Sequence, residues 1–142
     1  MTIATILGGK GRDIVSVTPE HSVRDTVSLL AQKRIGAVPV MDGGRVVGIF
    51  SERDVIHALE AHGPAALDAL VGAVMTSPAI TVDIGEPAIG ALSLMTRRRI
   101  RHLPVVQDGV VVGLVSIGDL VKYRIDRIEA DAEAMRSYIQ QA

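Results

Sequence analysis

Residues 15–56 of the chain align on residues 80–121 without a gap, at a constant offset of 65 positions. The shared letters include Val17/Val82, Ser28/Ser93, Leu29/Leu94, Arg34/Arg99, Ile35/Ile100, Pro39/Pro104, Val40/Val105, Gly44/Gly109 and Gly48/Gly113. A repeat this clean means two copies of one supersecondary unit, and each copy is too small to bury a good core alone. The two are therefore expected to pack together about a pseudo-twofold axis. Any feature that recurs then has a symmetry mate.

The most informative recurrence is Gly-x-x-Ser-x-x-Asp. It runs from Gly48 through Ser51 to Asp54, and again from Gly113 through Ser116 to Asp119. A β-branched apolar run precedes each glycine and a helical pattern follows each aspartate, so Ser and Asp sit where a strand gives way to a helix. Ser51 and Ser116 suit N-caps, and the carboxylates of Asp54 and Asp119 complement the dipole in the first turn. That reading is purely structural. The same groups also suit a ligand. A hydroxyl beside free helix N–H groups suits a phosphate, and a carboxylate suits the two hydroxyls of a ribose. Together they suggest a nucleotide.

Composition removes several alternatives. The 142 residues carry a formal net charge of −1, which gives no field for nucleic acid or an acidic membrane. Cysteine is absent, which excludes disulfides and thiolate metal sites. Apolar residues make up 48% but aromatics only 2%, so the core is aliphatic and no stacking platform for single strands exists. His21, His57 and His62 lack ligand spacing, so no metal is expected. No Ser/His/Asp set resembles a nucleophile elbow or triad, so no enzyme is expected either. Nothing approaches the ~18 uninterrupted apolar residues of a membrane span, and Met1–Thr5 lacks a signal-peptide pattern. The expectation is a cytoplasmic α/β protein.

Along the chain, Ile3–Leu7 reads as one or two helical turns and Gly8-Gly9-Lys10-Gly11 as a flexible loop. Val15–Val17 and Ile80–Val82 read as short strands. Ser22 reads as the N-cap of a helix over Val23–Ile35, with Ala88–Ile100 as its repeat. Ala37–Met41 and Arg45–Phe50 form a hairpin about Asp42-Gly43-Gly44, and Asp108-Gly109 turns the second one. Gly63-Pro64 ends the helix after Ser51, and Ala65–Val74 has helical spacing. The resulting division is 1–13 lead-in, 14–63 first repeat, 64–78 connector, 79–125 second repeat and 126–142 C-terminal helix extension. In that last helix Ile125, Ile128, Ala132, Met135 and Ile139 recur at 3-4-3-4 spacing. Such a stripe either folds back on its own module or makes a dimer seam.

A pair of β-α-β-β-α units carrying Gly36-Ala37-Val38-Pro39-Val40, Arg101-His102-Leu103-Pro104-Val105 and the two Gly-x-x-Ser-x-x-Asp motifs resembles a tandem pair of CBS domains, the Bateman module. Val74-Met75-Thr76-Ser77-Pro78 is similar to the family's lead-in to a repeat. The first lead-in, Leu7-Gly8-Gly9-Lys10-Gly11-Arg12-Asp13, departs from it. The resemblance implies a free-standing regulatory module that binds adenosine nucleotides in the clefts between repeats, with AMP foremost and ADP, ATP or NAD(H) as further ligands, and that forms a homodimer acting on an effector protein. It implies ribose contacts from Asp54 and Asp119, and phosphate contacts from Ser51, Arg53, Ser116, Arg101 and His102. It implies a base pocket from Val15, Ala37, Val38, Pro39, Thr76, Ser77, Pro78, Ile80, Leu103 and Pro104. Basic residues occupy the positions of Arg101 and His102 in nucleotide-sensing members, whereas the first repeat has Gly36 and Ala37. Conversely the first repeat has Arg53 where the second has Gly118. The two clefts are therefore expected to differ. The alternative reading is an interaction module with empty clefts.

Overall fold

The computed structural model describes residues 1–10 and 14–141. Helix α1 spans Ile3–Lys10. The first repeat supplies α2 (Val23–Lys33), β1 (Ala37–Asp42), β2 (Arg45–Ser51) and α3 (Glu52–His62). A one-turn helix, α4 (Val71–Val74), precedes the second repeat, which comprises β3 (Val82–Asp83), α5 (Ala88–Arg98), β4 (His102–Gln107), β5 (Val110–Ser116) and α6 (Ile117–Gln141).

The copies agree down to local irregularities. Both hairpins are antiparallel with Ala37 opposite Ser51 and His102 opposite Ser116. Both carry a bulge, after Val40 and after Val105. The turns use positive φ at Gly43 and Gly44, and at Asp108 and Gly109. Helices α2 and α5 end on left-handed arginines, Arg34 at φ 54° and Arg99 at φ 55°. Ser22 caps α2 by accepting the Asp25 N–H at 3.0 Å.

Three segments differ from the sequence reading. Val15–Val17 contributes only one parallel bridge, Val17 to Val40, and the strand expected at Ile80–Val82 is Val82–Asp83. The helical spacing of Ala65–Val74 is split into a 3-10 turn over Gly63–Asp68 and α4. Between them Ala69 and Leu70 are extended, because the Ala69 carbonyl accepts from Val23 N–H at 2.9 Å and Leu70 bridges Ser22. Gly8–Lys10 close α1 rather than forming a loop, while residues 11–13 lie outside the described residues.

Each repeat's core is completed by the segment that precedes the other repeat. Ile3, Ile6 and Leu7 of α1 pack with Val82, Met95, Leu103, Val115 and Leu120 of the second repeat. Val71 packs with Val23, Leu30, Val38 and Phe50 of the first, with Leu67, Val74 and Met75 beside it. The backbone repeats the exchange. Ile3 N–H donates to Glu86 O at 2.9 Å, and Val71 N–H to His21 O at 2.8 Å. Two small cores are thereby tied into one module.

Helix α6 does not fold back. Leu120 is buried, Tyr123 is half-buried, and every residue from Arg124 to Gln141 is exposed. One end of α6 is anchored and the rest leaves the body.

Candidate nucleotide site between the repeats

The strand-to-helix junction after β2 is a reciprocal cap. Ser51 Oγ accepts the Asp54 N–H at 3.4 Å, and Asp54 Oδ2 accepts the Ser51 N–H at 2.9 Å. The junction after β5 repeats it, with Asp119 N–H to Ser116 Oγ at 3.1 Å and Ser116 N–H to Asp119 Oδ2 at 2.8 Å. The structural role of both motifs is thus present: each satisfies N–H groups that a helix start leaves unpaired.

The first junction also receives a partner from the connector. The Thr76 hydroxyl donates to Asp54 Oδ1 at 2.8 Å. Thr76 is carried there because residues 75–77 lie along the edge of β2, exchanging Ile49 N–H to Thr76 O and Thr76 N–H to Ile49 O, both at 2.9 Å. Ser77 Oγ fastens the same segment to Val47 O at 2.7 Å. Gly48 makes this approach workable, since a Cβ there would stand 2.7 Å from Met75 Sδ and 2.8 Å from the Thr76 carbonyl. Asp54 is consequently 9% exposed.

Beside this junction, between the repeats, opens a cavity of about 340 Å³. It brings together Ser51, Arg53, Asp54, Thr76, Pro78, Ile80, Arg101, His102 and Ser116 from the sequence-expected set. Its remaining walls come from residues that sequence reasoning missed, Ile49, Glu52, Ile100 and Ile117, with Gly36 and Gly118. Glu52 was legible as the neighbour of Ser51 and Arg53. The isoleucines have no signal of their own, because apolar residues at element ends serve core and cavity alike. Asp119, Val15, Ala37, Val38, Pro39, Ser77, Leu103 and Pro104 do not line it. Val38 and Leu103 are fully buried in the two cores, and Ser77 is turned to Val47.

The cavity is asymmetric in charge. Arg53, Arg101 and His102 face Glu52 and Asp54. Arg53 Nη1 donates to the Arg99 carbonyl at 2.9 Å, a clasp from α3 to the C-cap of α5. The His102 ring crosses to the first repeat, where a Cβ on Gly36 would lie 3.3 Å from its Nε2 and 3.5 Å from Glu52 Oε1. The repeats differ here, with Gly36-Ala37 in the first and Arg101-His102 in the second. The counterpart of Thr76-Ser77-Pro78 in the first repeat is 11–13, outside the described residues. Among the described residues no cluster of acidic or imidazole groups could hold a metal.

The family model described as CBS domain matches residues 11–61 and 71–126. The chain belongs to the CBS domain family. A mitochondrial CBS domain-containing protein of Arabidopsis thaliana is 32% identical, over 98% of this chain and 72% of its own length. The crystal structure of a CBS-domain containing protein from Agrobacterium tumefaciens superposes with a TM-score of 0.84 at 38% identity, covering 87% of this chain and 99% of that one. A CBS domain protein from Pyrobaculum aerophilum, solved in complex with AMP, is similar at 31% identity and a TM-score of 0.74, over 84% of this chain and 89% of that one. The tandem architecture expected from the repeat is thus that of known CBS pairs. No helix among the described residues is long and apolar enough to cross a membrane.

Proposed function

We propose that this CBS pair is a non-catalytic regulatory module that senses an adenosine nucleotide, AMP foremost, in the cavity between its repeats. The observation that carries the reading is the meeting of Arg53, Arg101 and His102 with Asp54 around one cavity with isoleucine walls. A mononucleotide has three chemically distinct parts, and the cavity offers each a counterpart. The cations suit a phosphate, beside the helix starts at Ser51 and Ser116. Ile49, Ile80 and Ile100 offer an apolar wall to the base. The Asp54 carboxylate can accept ribose hydroxyls. Its oxygens already take the Ser51 N–H and the Ser51 and Thr76 hydroxyls, so a ribose exchanges with Thr76 rather than filling an idle group. The AMP complex of the Pyrobaculum aerophilum relative supports this ligand class.

Calorimetry and thermal unfolding with AMP, ATP and NADH test the reading. A ligand at about 100 times its Kd adds about 2.7 kcal/mol to stability. The second reading, an interaction module without a nucleotide, is favoured by the exposed length of α6. Absence of heat and of any thermal shift with all three nucleotides decides for it.

A further inference from the structure

We propose that the free part of α6 is one strand of a parallel two-helix coiled coil, its partner being α6 of a second copy of this chain. Ile125, Ile128, Met135 and Ile139 are 49%, 54%, 60% and 63% exposed, and Ala132 and Val121 are exposed with them. No surface of the same chain covers them, although the helix runs 16 residues past Ile125, about 24 Å. An apolar stripe of this regularity stabilises nothing unless a partner covers it.

The heptad register identifies the partner. With Ile125, Ala132 and Ile139 at a and Val121, Ile128 and Met135 at d, the flanking g positions are Arg124 and Asp131 and the flanking e positions are Glu129 and Arg136. In a parallel pair each g residue faces the e residue five positions on in the other strand. Arg124 then meets Glu129 and Asp131 meets Arg136, opposite charges in each place, and twofold symmetry forms each pair twice. An antiparallel pair with the whole stripe overlapped sets Glu129 against Glu129, Asp131 against Asp131 and Lys122 against Arg136. Charges at e and g choose orientation, and here they favour parallel strands. The intrahelical pairs already present, Arg127–Asp131 at 3.8 Å and Arg136–Glu133 at 2.8 Å, are solvent-exposed. Sharing or exchanging them therefore costs little. A parallel seam leaves the two modules side by side at its N-terminal end.

The chain has no cysteine, so one introduced thiol reports alone. The full chain is expected to sediment as a dimer. Ile128→Cys and Ala132→Cys chains are each expected to form a disulfide dimer with themselves on oxidation with diamide. Arg124→Glu is expected to weaken the dimer on the order of tenfold, with Glu129→Arg in the same chain restoring it. All these positions are exposed, so unchanged thermal unfolding of the modules is the control. A monomer at every concentration overturns the proposal and leaves the stripe to a different protein. Disulfides that form only when Ile128→Cys and Ala132→Cys chains are mixed overturn the parallel orientation. A dimer indifferent to Arg124→Glu that yields no disulfide overturns the seam and places the interface on the repeats.

Discussion

Asp54 and Asp119 stand in two copies of one motif, each in the same reciprocal cap, and yet their surroundings differ. Asp54 is reached by Thr76 from the connector, while its neighbour Arg53 clasps the Arg99 carbonyl. Asp119 has Gly118 for a neighbour and does not line the cavity between the repeats. The Gly, Ser and Asp of the motif are the same in both copies, so the difference comes from what surrounds them. A duplicated unit therefore inherits its helix starts as a pair. It acquires its binding asymmetry from single-copy segments and from a few replaced side chains, Gly36 against Arg101 and Arg53 against Gly118.

The sharpest way to break the comparison is at the equivalent core positions Phe50 and Val115, both fully buried. Phe50→Ala is expected to cost about 3–5 kcal/mol, more than Val115→Ala, because more buried volume is removed. Urea unfolding of the two variants measures this. Equal losses would mean that the first core collapses around the gap.

Gly48 and Gly113 come next. A Cβ at Gly48 meets the Thr76 carbonyl at 2.8 Å, whereas at Gly113 it meets Leu7 Cδ2 at 2.8 Å, the end of a flexible side chain. Gly48→Ala is expected to cost about 1–3 kcal/mol, and Gly113→Ala less, since Leu7 can shift a rotamer. Gly48→Ala also displaces Thr76 and should weaken AMP binding, as calorimetry would show; Gly113→Ala should not.

Asp54→Ala is expected to weaken AMP binding by about 1.5–3 kcal/mol, against little for Asp119→Ala at this cavity. The substitution also removes a cap and the Thr76 partner, at about 1 kcal/mol of stability. Equal AMP affinity of Asp54→Ala and the parent would remove the ribose role.

The smallest effects concern charge. Arg53→Ala and Arg101→Ala should each lower affinity for AMP but not for adenosine. AMP affinity should fall with salt, since these cations are partly exposed. Adenosine should not show this trend. Calorimetry of both ligands at low and high salt decides it, and parallel trends would return Arg53 and Arg101 to ordinary surface charge.

Whatever depends on near neighbours was legible in the order of residues. The offset of 65 revealed the repeat and with it the paired hairpins, and Gly43-Gly44 and Asp108-Gly109 marked turns that need positive φ. Ser22, Ser51 and Ser116 announced helix starts because a cap is satisfied within three residues. Nine of the residues singled out for a ligand do line one cavity. The roles of the single-copy segments emerge from packing in three dimensions. Ile3, Leu7 and Val71 are apolar in the sequence, but an apolar face does not name the surface that will cover it. That α1 completes the second core and the connector the first, and that Thr76 thereby reaches Asp54, follows from shape and backbone pairing across more than twenty residues. The fate of α6 was likewise open, since the same stripe suits folding back and pairing outward. The structure decided it: from Arg124 to Gln141 every residue of the helix is exposed.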